Sequence, residues 1–457
     1  MPVTQLLVSS ATLIVPSADG CAALPDGWLL VDSAGRIADL GTGATPRAEP
    51  STARLDVAGA FVGPGFVSSH SHLFTSGSRG LGTDQTLYGW AEAMYRTTRH
   101  CSPDDIYWCT LHGALDFLGA GVTTAYDFCD TRLRFEPLQQ GQRRTGSELR
   151  PPEYAFRQAD AKADAGLRFV NSVQLDEFVG TEQEVLDRLG DVVRYGQGAD
   201  PRYYLRTAIS GGVQWSADRG TAVLEVAAMR RFNLLNQPHF LETREHLEQQ
   251  REKFDWYEQA GALGPDLVFG HFVQATPEIV ARAAAAGCAM SWQPTANGRL
   301  ASGVADIPTV RAGGMRVGVG LDDQSCTDLA DPWQNMRMGL YMLRAVTGSP
   351  TQLSPGQMLR MHTLGSAEVI GVEDVVGSLE VGKYADFVVV DPRSPDVGPV
   401  WDPIASYVLA CGLRNLRDVY VGGELVSRQG RSTNPLAGRA SQELHTRLRA
   451  LALAATG

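Results

Sequence analysis

The chain has 457 residues, 44% of them hydrophobic and 20% charged, which is the composition of an ordinary globular protein and excludes disordered and fibrous classes. Its formal net charge of -11 argues against duplex nucleic acid or an anionic membrane surface as the main partner.

The cysteines and the hydrophobic runs indicate a cytoplasmic protein. The seven cysteines are scattered, with no Cys-x-x-Cys pair, which favours reduced thiols over a disulfide framework. The opening MPVTQLLVSSATLIVP has no basic region typical of a signal peptide. No apolar run approaches the roughly 18 residues of a membrane helix.

The chain begins and ends with β-rich segments. Residues 1–59 and 377–457 contain alternating or apolar runs between Gly, Asp and Ser turns, a pattern typical of short strands. We expect the two segments to form one composite β-sandwich domain, with an amphipathic helix at about 440–455 closing the chain. The runs are LLVSSATLIVP, GWLLVDSAGRIADLG, TARLDVAG, GSLEVGKYADFVVVD and LRDVYVGGELVSRQG.

The central residues 60–376 repeat a strand–helix unit. Helical stretches separate short apolar segments, and one helix begins where Ser102 and Asp105 have capping-box spacing. Eight such units predict an α/β fold, a catalytic (β/α)8 TIM barrel, with a doubly wound sheet as the alternative. The strand segments are AFVGPGFVSSH, GVTTAYDF, GLRFVNSVQ, YYLRTAIS, FNLLNQPHF, DLVFGHF, GCAMSWQP and MRVGVGLDD.

A polar segment rich in Pro and Gly follows the second barrel strand. Residues 131–152 read TRLRFEPLQQGQRRTGSELRPP and show no helical or strand periodicity. Such a long connection is either a functional loop over the active face or a solvated insertion.

Four predicted strands end in a histidine or an aspartate. His70 and His72 close the first strand, and their spacing points both imidazoles to the same side. His239 ends the fifth strand, His271 the sixth and Asp322 the eighth. Because barrel enzymes build their sites at the C-terminal ends of the strands, these residues are expected to meet there.

These residue types suit metal-assisted hydrolysis. Three imidazoles (His70, His72, His239) and the Asp322 carboxylate would hold one divalent ion and leave a position open for water. The ion would make hydroxide available near neutral pH. Glu242, three positions after His239, is expected to shuttle a proton, with His271 and Asp322 as further catalytic groups. Nitrogen and oxygen ligands suit zinc, iron or manganese, and zinc is our expectation.

The motifs PGFVSSHSH, HFLE, FGH and GVGLDD resemble the amidohydrolase superfamily, in particular its cytosine/guanine/methylthioadenosine deaminase and triazine hydrolase branch. The resemblance covers nearly the whole chain, including NGRLASGVADIPTVRAGG and the tail GSLEVGKYADFVVVD. It implies a barrel with a two-ended β-sandwich, metal-ligand roles for His70, His72, His239 and Asp322, catalytic roles for Glu242 and His271, and a homodimer or larger homo-oligomer.

Two features refine the resemblance. Binuclear relatives use a carbamylated lysine on the fourth strand, and YYLRTAIS has none, so we expect a single metal. Nucleoside-directed relatives often carry Asp-Gly-x-x-Ser-Asn-Asn at the last strand, whereas this chain has Asp-Asp-Gln-Ser-Cys-Thr-Asp from Asp322 to Asp328. That departure puts a ribose-linked substrate in doubt.

Four residues near the predicted strand ends are candidate substrate contacts, each with a structural role as the alternative. Arg79 and Trp90 follow the first strand, and Gln293 and Arg299 follow the seventh. An aromatic side chain in such a loop packs as often as it recognises a ligand.

The leading functional hypothesis is metal-dependent deamination of a small amino-substituted N-heterocycle of pterin, purine, pyrimidine or triazine type, by attack of metal-activated hydroxide. The first alternative is hydrolysis of a cyclic amide, an amidine or guanidine, or a chloro-substituted ring at the same site. The second is a metal-binding scaffold without catalysis, which the presence of Glu242 and His271 disfavours. No sequence feature indicates a nucleic-acid or membrane partner.

Overall fold

The computed structural model describes residues 5–18, 20–47, 49–143 and 148–454. They fall into two compact units, the first reaching to Ser69 and adding Leu115–Thr124 and Ala330–Pro435. The second unit comprises His70–Ala114, Ala125–Leu329 and the chain from Leu436 onward. The domain boundaries at 59/60 and 376/377 stay a prediction. No helix among the described residues has the length and apolar character needed to cross a membrane.

Eighteen strands are present in the described residues. They are β1 (Leu6–Ser17), β2 (Gly20–Val31), β3 (Ile37–Thr42), β4 (Ala53–Asp56), β5 (Phe61–Pro64), β6 (Phe66–Ser71), β7 (Val122–Phe128), β8 (Arg168–Gln174), β9 (Tyr204–Ser210), β10 (Leu235–Asn236), β11 (His239–Phe240), β12 (Val268–His271), β13 (Ala289–Trp292), β14 (Arg316–Val319), β15 (Phe387–Val390), β16 (Leu416–Val421), β17 (Glu424–Arg428) and β18 (Arg431–Ser432).

The α-helices of the described residues are α1 (Leu87–Thr98), α2 (Pro103–Gly119), α3 (Glu153–Ala165), α4 (Glu182–Gly198), α5 (Gly220–Phe232), α6 (Leu247–Glu252), α7 (Phe254–Ala260), α8 (Pro277–Ala285), α9 (Pro294–Arg299), α10 (Ile307–Ala312), α11 (Pro332–Thr347), α12 (Pro355–Met361), α13 (Leu364–Ile370), α14 (Pro403–Ala405) and α15 (Ala437–Ala454). Two 3-10 helices (Leu73–Ser78, Val213–Trp215) and one π-helix (Ser406–Ala410) complete them. Residue 455 of the predicted C-terminal helix lies outside the described residues.

The terminal strands form one sheet in the first unit. Its order is β18-β17-β16-β15-β5-β1-β2-β3, and β4 also pairs with β1. The N-terminal and C-terminal parts of the chain join where β5 pairs antiparallel with β15. Alternating side chains of this sheet, such as Leu13, Leu29 and Val389, are buried in one hydrophobic cluster. Both ends of the chain therefore contribute to the small β-sandwich, as predicted.

The eight predicted barrel segments all contain strands. One sheet has the order β10-β9-β8-β7-β6, and a second has the order β11-β12-β13-β14. Parallel bridges from Asn236 to Leu267 and from Ser71 to Asp322 connect the sheets at both edges. The fifth barrel strand consists of β10 and β11, because Pro238 between them lacks an N–H group. The (β/α)8 TIM barrel is thus confirmed, and the doubly wound alternative is wrong.

The first predicted strand, AFVGPGFVSSH, is two strands in the structure. Its front half is β5, which pairs with β1 and β15 of the terminal sheet, and only β6 enters the barrel. At Gly65, between the two, a Cβ atom would lie 2.1 Å from Thr123 Oγ1, so this close passage requires glycine.

The segment 131–152 has no regular strand among its described residues, and α3 begins only at its end, at Glu153. Isolated bridges join Leu133 to Leu149 and Gln139 to Gln142. Arg150 anchors the segment by donating hydrogen bonds to Asp130 Oδ2 at 3.0 Å and to the Thr131 carbonyl at 2.7 Å. Residues 144–147 of the predicted loop lie outside the described residues.

Candidate active site

Four predicted metal ligands converge at the C-terminal ends of the barrel strands. The Nε2 atoms of His70, His72 and His239 lie 3.0–3.3 Å from one another. Asp322 Oδ1 lies 3.5 Å from His70 Nε2 and 3.6 Å from His72 Nε2. His70 and His72 come from the end of β6, His239 from β11, and Asp322 follows β14.

The spacing of these atoms fits one divalent ion. Ligand atoms bound tetrahedrally at about 2.0–2.1 Å are separated from one another by roughly 3.3–3.4 Å. The separations among the three imidazole nitrogens, and from Asp322 Oδ1 to His70 and His72, are 3.0–3.6 Å and bracket that value. Three nitrogens and one carboxylate oxygen are also a donor set that zinc accepts.

The three imidazoles are held neutral, as metal ligands must be. Burial lowers the pKa of His70 and His72 well below the usual value, and neighbouring histidines lower it further. Burial, followed by the charge of Arg143, lowers the pKa of His239 to about 3. His70 donates its Nδ1 proton to Gln237 Oε1 at 2.6 Å, which leaves the Nε2 lone pair free for the ion.

The backbone around this cluster adopts unusual conformations. His271 and Asp322 have φ angles of 65° and 62°, in the left-handed region that non-glycine residues rarely occupy. Strain of this kind costs on the order of 1–3 kcal/mol per residue and is found mainly at functional sites. Gly320 permits another close approach, because a Cβ atom there would lie 2.6 Å from His70 Cβ.

Glu242 and His271 form an acid–imidazole pair beside the ligands. Glu242 Oε2 lies 3.5 Å from His271 Nε2, which is 3.9 Å from Asp322 Oδ2. Both Glu242 Oε2 and His271 Nε2 are buried and make no hydrogen bond within the described chain. Burial, then the charges of Asp323 and Glu245, raises the pKa of Glu242 to about 8. The carboxyl group can therefore hold a proton near neutral pH.

His271 is held on its other side by two amides. Its backbone N–H donates to Gln293 Oε1 at 2.9 Å. The Asn297 side chain, oriented as a donor, lies 2.9 Å from His271 Nδ1 and so places the ring proton on Nε2. This orientation directs an N–H group towards Asp322 and Glu242.

A large aromatic cleft opens over the cluster. It reaches from the metal ligands to α1 and the segment 131–143. Tyr95 and Phe135 stack at 4.4 Å between ring centres, and Phe128 stacks on His72 at 4.8 Å. Its apolar lining also includes Leu87, Tyr88, Trp90, Ala91, Met94, Leu133, Leu138, Phe178, Trp215 and Leu300. A cleft lined in this way can accept a ring together with an apolar substituent.

The four residues predicted to contact substrate differ in where they lie relative to the cleft. Trp90 lines the cleft, with its indole N–H donating to the Ser325 carbonyl at 3.2 Å. Gln293 is fully buried against His271, and Arg299 donates to the Gly82 carbonyl at 2.9 Å while pairing with Asp328.

Arg79 donates to the Ser76 carbonyl at 3.1 Å. Among the described residues, Arg79, Gln293 and Arg299 do not contribute to the cleft lining. Their assigned contacts with substrate stay predictions, and the observed contacts agree with the structural alternative.

The sequence analysis did not predict several polar residues of the cleft, among them Asp323 and Arg143. Asp323 lines the cleft, and its Oδ1 atom accepts hydrogen bonds from the backbone N–H groups of Ser325 and Cys326. Its position next to Asp322 was the available signal. Arg143 also lines the cleft, and its Nη1 atom is buried without a hydrogen bond in the described chain. It lies in an irregular segment, where no spacing pattern could have singled it out.

Fold and site together define a class of protein: a (β/α)8 barrel with one His/Asp metal centre at the C-terminal ends of its strands. Residues 61–426 match the amidohydrolase family, and the chain belongs to that family. The resemblance inferred from HSH, HFLE and GLDD is thereby confirmed.

Three proteins are similar to this chain along nearly its whole length. A 5-methylthioadenosine/S-adenosylhomocysteine deaminase of Syntrophobacter fumaroxidans is 26% identical over 440 residues, covering 93% of this chain and 94% of the relative. An adenosine deaminase of Xanthomonas campestris with bound zinc has a TM-score of 0.82 at 22% identity, covering 97% and 98% of the two chains. Atrazine chlorohydrolase of Arthrobacter aurescens, complexed with zinc, has a TM-score of 0.80 at 22% identity, covering 97% and 100%.

Proposed function

We propose that this protein is a zinc-dependent hydrolase that removes the amino group of a substituted N-heterocycle as ammonia. The observation that carries the proposal is the pair Glu242 and His271. Their Oε2 and Nε2 atoms lie 3.5 Å apart beside the ligand cluster, and neither makes a hydrogen bond within the described residues. A site that only bound a metal would not need this pair. The relatives named as deaminases support the same reaction class.

Zinc is the metal we propose, held by His70, His72, His239 and Asp322. When bound, the ion would act as a Lewis acid and would lower the pKa of a bound water towards neutrality. Two solved structures similar to this chain contain zinc. In the described part of the chain, the groups of possible metal ligands overlap, each sharing one residue with each of the others, so we propose one ion per chain.

Glu242 is the proposed proton shuttle. Its carboxyl group accepts a proton from the attacking water and donates it to the ring nitrogen next to the amino-bearing carbon. Protonation of that nitrogen makes the carbon electrophilic, and the water oxygen adds to it. Asp322 then transfers the remaining hydroxyl proton to the amino group, the C–N bond breaks as the carbonyl forms, and ammonia leaves. A pKa near 8 matches this role, because the group can gain and lose a proton near neutral pH.

His271 and Asp322 orient the reacting water. His271 presents its Nε2 proton towards the ligand cluster, since Asn297 occupies the opposite ring nitrogen. Asp322 Oδ2 lies 3.9 Å from that nitrogen and is placed to act as a second base. The stacked aromatic side chains that line the cleft would exclude water from the substrate ring and fix the plane of that ring.

Displacement of chloride is the second candidate, favoured by the fold similarity to atrazine chlorohydrolase. The same water would attack, and the leaving group alone would differ. Hydrolysis of a cyclic amide or of an amidine or guanidine is a further alternative on this site.

The test is a panel assay on zinc-loaded protein. Aminated and chlorinated pterins, purines, pyrimidines and triazines, with and without apolar substituents, are incubated with the enzyme, and ammonia, chloride and ring-opened products are measured. Ammonia release that the Glu242→Gln variant lacks would support deamination. Chloride or ring-opened products alone would favour an alternative, and no product from any member would count against hydrolysis.

We also propose that the enzyme works in the cytoplasm as a homodimer or larger homo-oligomer. The scattered free cysteines and the resemblance to oligomeric family members support this proposal. Light scattering coupled to size-exclusion chromatography would test it, and a mass near 49.2 kDa would contradict it.

A further inference from the structure

A lysine is completely buried behind the metal ligands. Lys162, on α3, donates from Nζ to Asp127 Oδ2 at 2.6 Å and to Asn171 Oδ1 at 2.7 Å. The Cys129 sulfur lies 3.5 Å from the same nitrogen. The side chains of Lys162 and Asp127 are 0% and 1% exposed, so solvent compensates neither charge.

Keeping this pair charged in the interior needs a reason. Burial alone would lower the pKa of Lys162, but the charge and the hydrogen bond of Asp127 favour the ammonium, and the pKa lies above its usual value. The ammonium is therefore retained. Buried ion pairs are often no more stabilising than apolar residues of the same volume, so stability by itself does not account for the pair.

The two oxygens of the Asp127 carboxylate have different partners, the side chain of Lys162 and the backbone next to the proposed metal ligand His72. While Oδ2 accepts from Lys162, Oδ1 accepts the backbone N–H of Leu73 at 2.9 Å. Leu73 directly follows His72 and is the first residue of a 3-10 helix, whose opening N–H groups have no partner within the helix. The adjacent Phe128 stacks on the His72 ring, so β7 holds both the backbone and the ring of this ligand.

We propose that Asp127, locked in place by Lys162, is a positioning residue for the metal ligand His72. The hydrogen bond to Leu73 fixes the backbone that leaves β6, and with it the direction from which the imidazole reaches the ion. This inference rests on the proposed zinc site but not on the identity of the substrate. Removing a group that orients a metal ligand typically weakens metal binding by about 10–100-fold.

Two double variants isolate the hydrogen bond from the ion pair. Asp127→Asn with Lys162→Met removes both buried charges and keeps an oxygen that can accept from Leu73. Asp127→Leu with Lys162→Met has the same size and background but lacks that acceptor. Zinc dissociation constants are measured by competition with a chromophoric chelator, and cobalt(II) absorption reports the ligand geometry. Thermal melting of the metal-free proteins compares their stability.

The leucine variant is expected to bind zinc about 10–100-fold more weakly than the asparagine variant and to show an altered cobalt spectrum, with similar melting of the metal-free forms. Equal zinc affinities and spectra would overturn the inference. If the leucine variant does not fold, Leu73→Pro removes the donor instead, since proline lacks the N–H and is tolerated at a first helical position. Unchanged zinc binding by that variant would also overturn it. Failure of the wild type to bind zinc would refute the metal site and the inference together, whereas failure to find a substrate would affect only the proposed reaction.

Discussion

Replacing Glu242 with glutamine is expected to abolish turnover and yet to stabilise the metal-free protein at alkaline pH. The carboxyl group is 1% exposed, and its Oε2 atom has no hydrogen bond in the described chain. Burial and the nearby Asp323 and Glu245 carboxylates therefore penalise the ionised form. Glutamine has the same shape but no charge, so it removes the penalty together with the proton shuttle.

The size of the stability effect follows from the pKa. In the folded protein the pKa of Glu242 is about 8, raised from 4.5. Between these values the unfolded chain has released a proton that the folded protein retains, so the wild type loses stability as the pH rises. The loss relative to the glutamine variant is about 1.4 kcal/mol per pH unit and reaches about 5 kcal/mol above pH 8.

The assay is urea unfolding of metal-free wild type and variant at pH 6 and pH 9. The advantage of Glu242→Gln should grow by about 3 kcal/mol between the two pH values. With zinc restored, the variant should bind the metal and lose about 10²–10⁴-fold in rate. Glu245→Gln, which removes a neighbouring carboxylate bonded to Thr243 Oγ1, is the matched control and should retain turnover. An identical change of unfolding free energy with pH in wild type and Glu242→Gln, or a near-full rate of the variant, would contradict this prediction.

Three further outcomes are expected. His239→Ala should lose stoichiometric zinc, whereas elemental analysis of the wild type should find one ion per chain; two ions would contradict the single-metal site. Gly320→Ala should weaken zinc binding and destabilise the protein by about 1–3 kcal/mol, because the new methyl group would meet His70, and unchanged affinity and melting would speak against this packing. Gln237→Leu removes the acceptor for the His70 Nδ1 proton and should weaken zinc binding about 10–100-fold in a chelator competition, with little change expected if that hydrogen bond does not orient the ring.

Local patterns were sufficient to predict which side chains the barrel brings together at the candidate site. His70 lies near the end of β6 and His72 follows it, His239 lies in β11, His271 ends β12, and Asp322 lies three residues after β14. Parallel strands bring their C-terminal ends to one rim. Any barrel built from these segments would therefore gather these side chains. One helix start was equally readable: the predicted capping box of Ser102 and Asp105 is present, with the Ser102 N–H donating to Asp105 Oδ2 at 2.9 Å and the Asp105 N–H donating to Ser102 Oγ at 3.2 Å.

The substrate contacts could not be read in this way. Gln293 and Arg299 follow a barrel strand, as the proposed ligands do. In the structure, however, Gln293 accepts a hydrogen bond from the His271 backbone N–H, and Arg299 donates one to the Gly82 carbonyl. Arg143 reaches the cleft from an irregular segment. The direction of a loop side chain is set by tertiary packing, and packing produces no periodic pattern in the sequence.

The sequence by itself determined which residues can bind a metal and move a proton, because strand periodicity fixes the side of the strand from which a side chain projects. Only the tertiary structure decided how those groups are tuned. The burial that raises the pKa of Glu242, the left-handed backbone of His271 and the contact between Lys162 and Asp127 all depend on segments distant in the chain. Solvent exclusion and long-range contacts arise only when distant segments pack together, so no local sequence pattern indicates them.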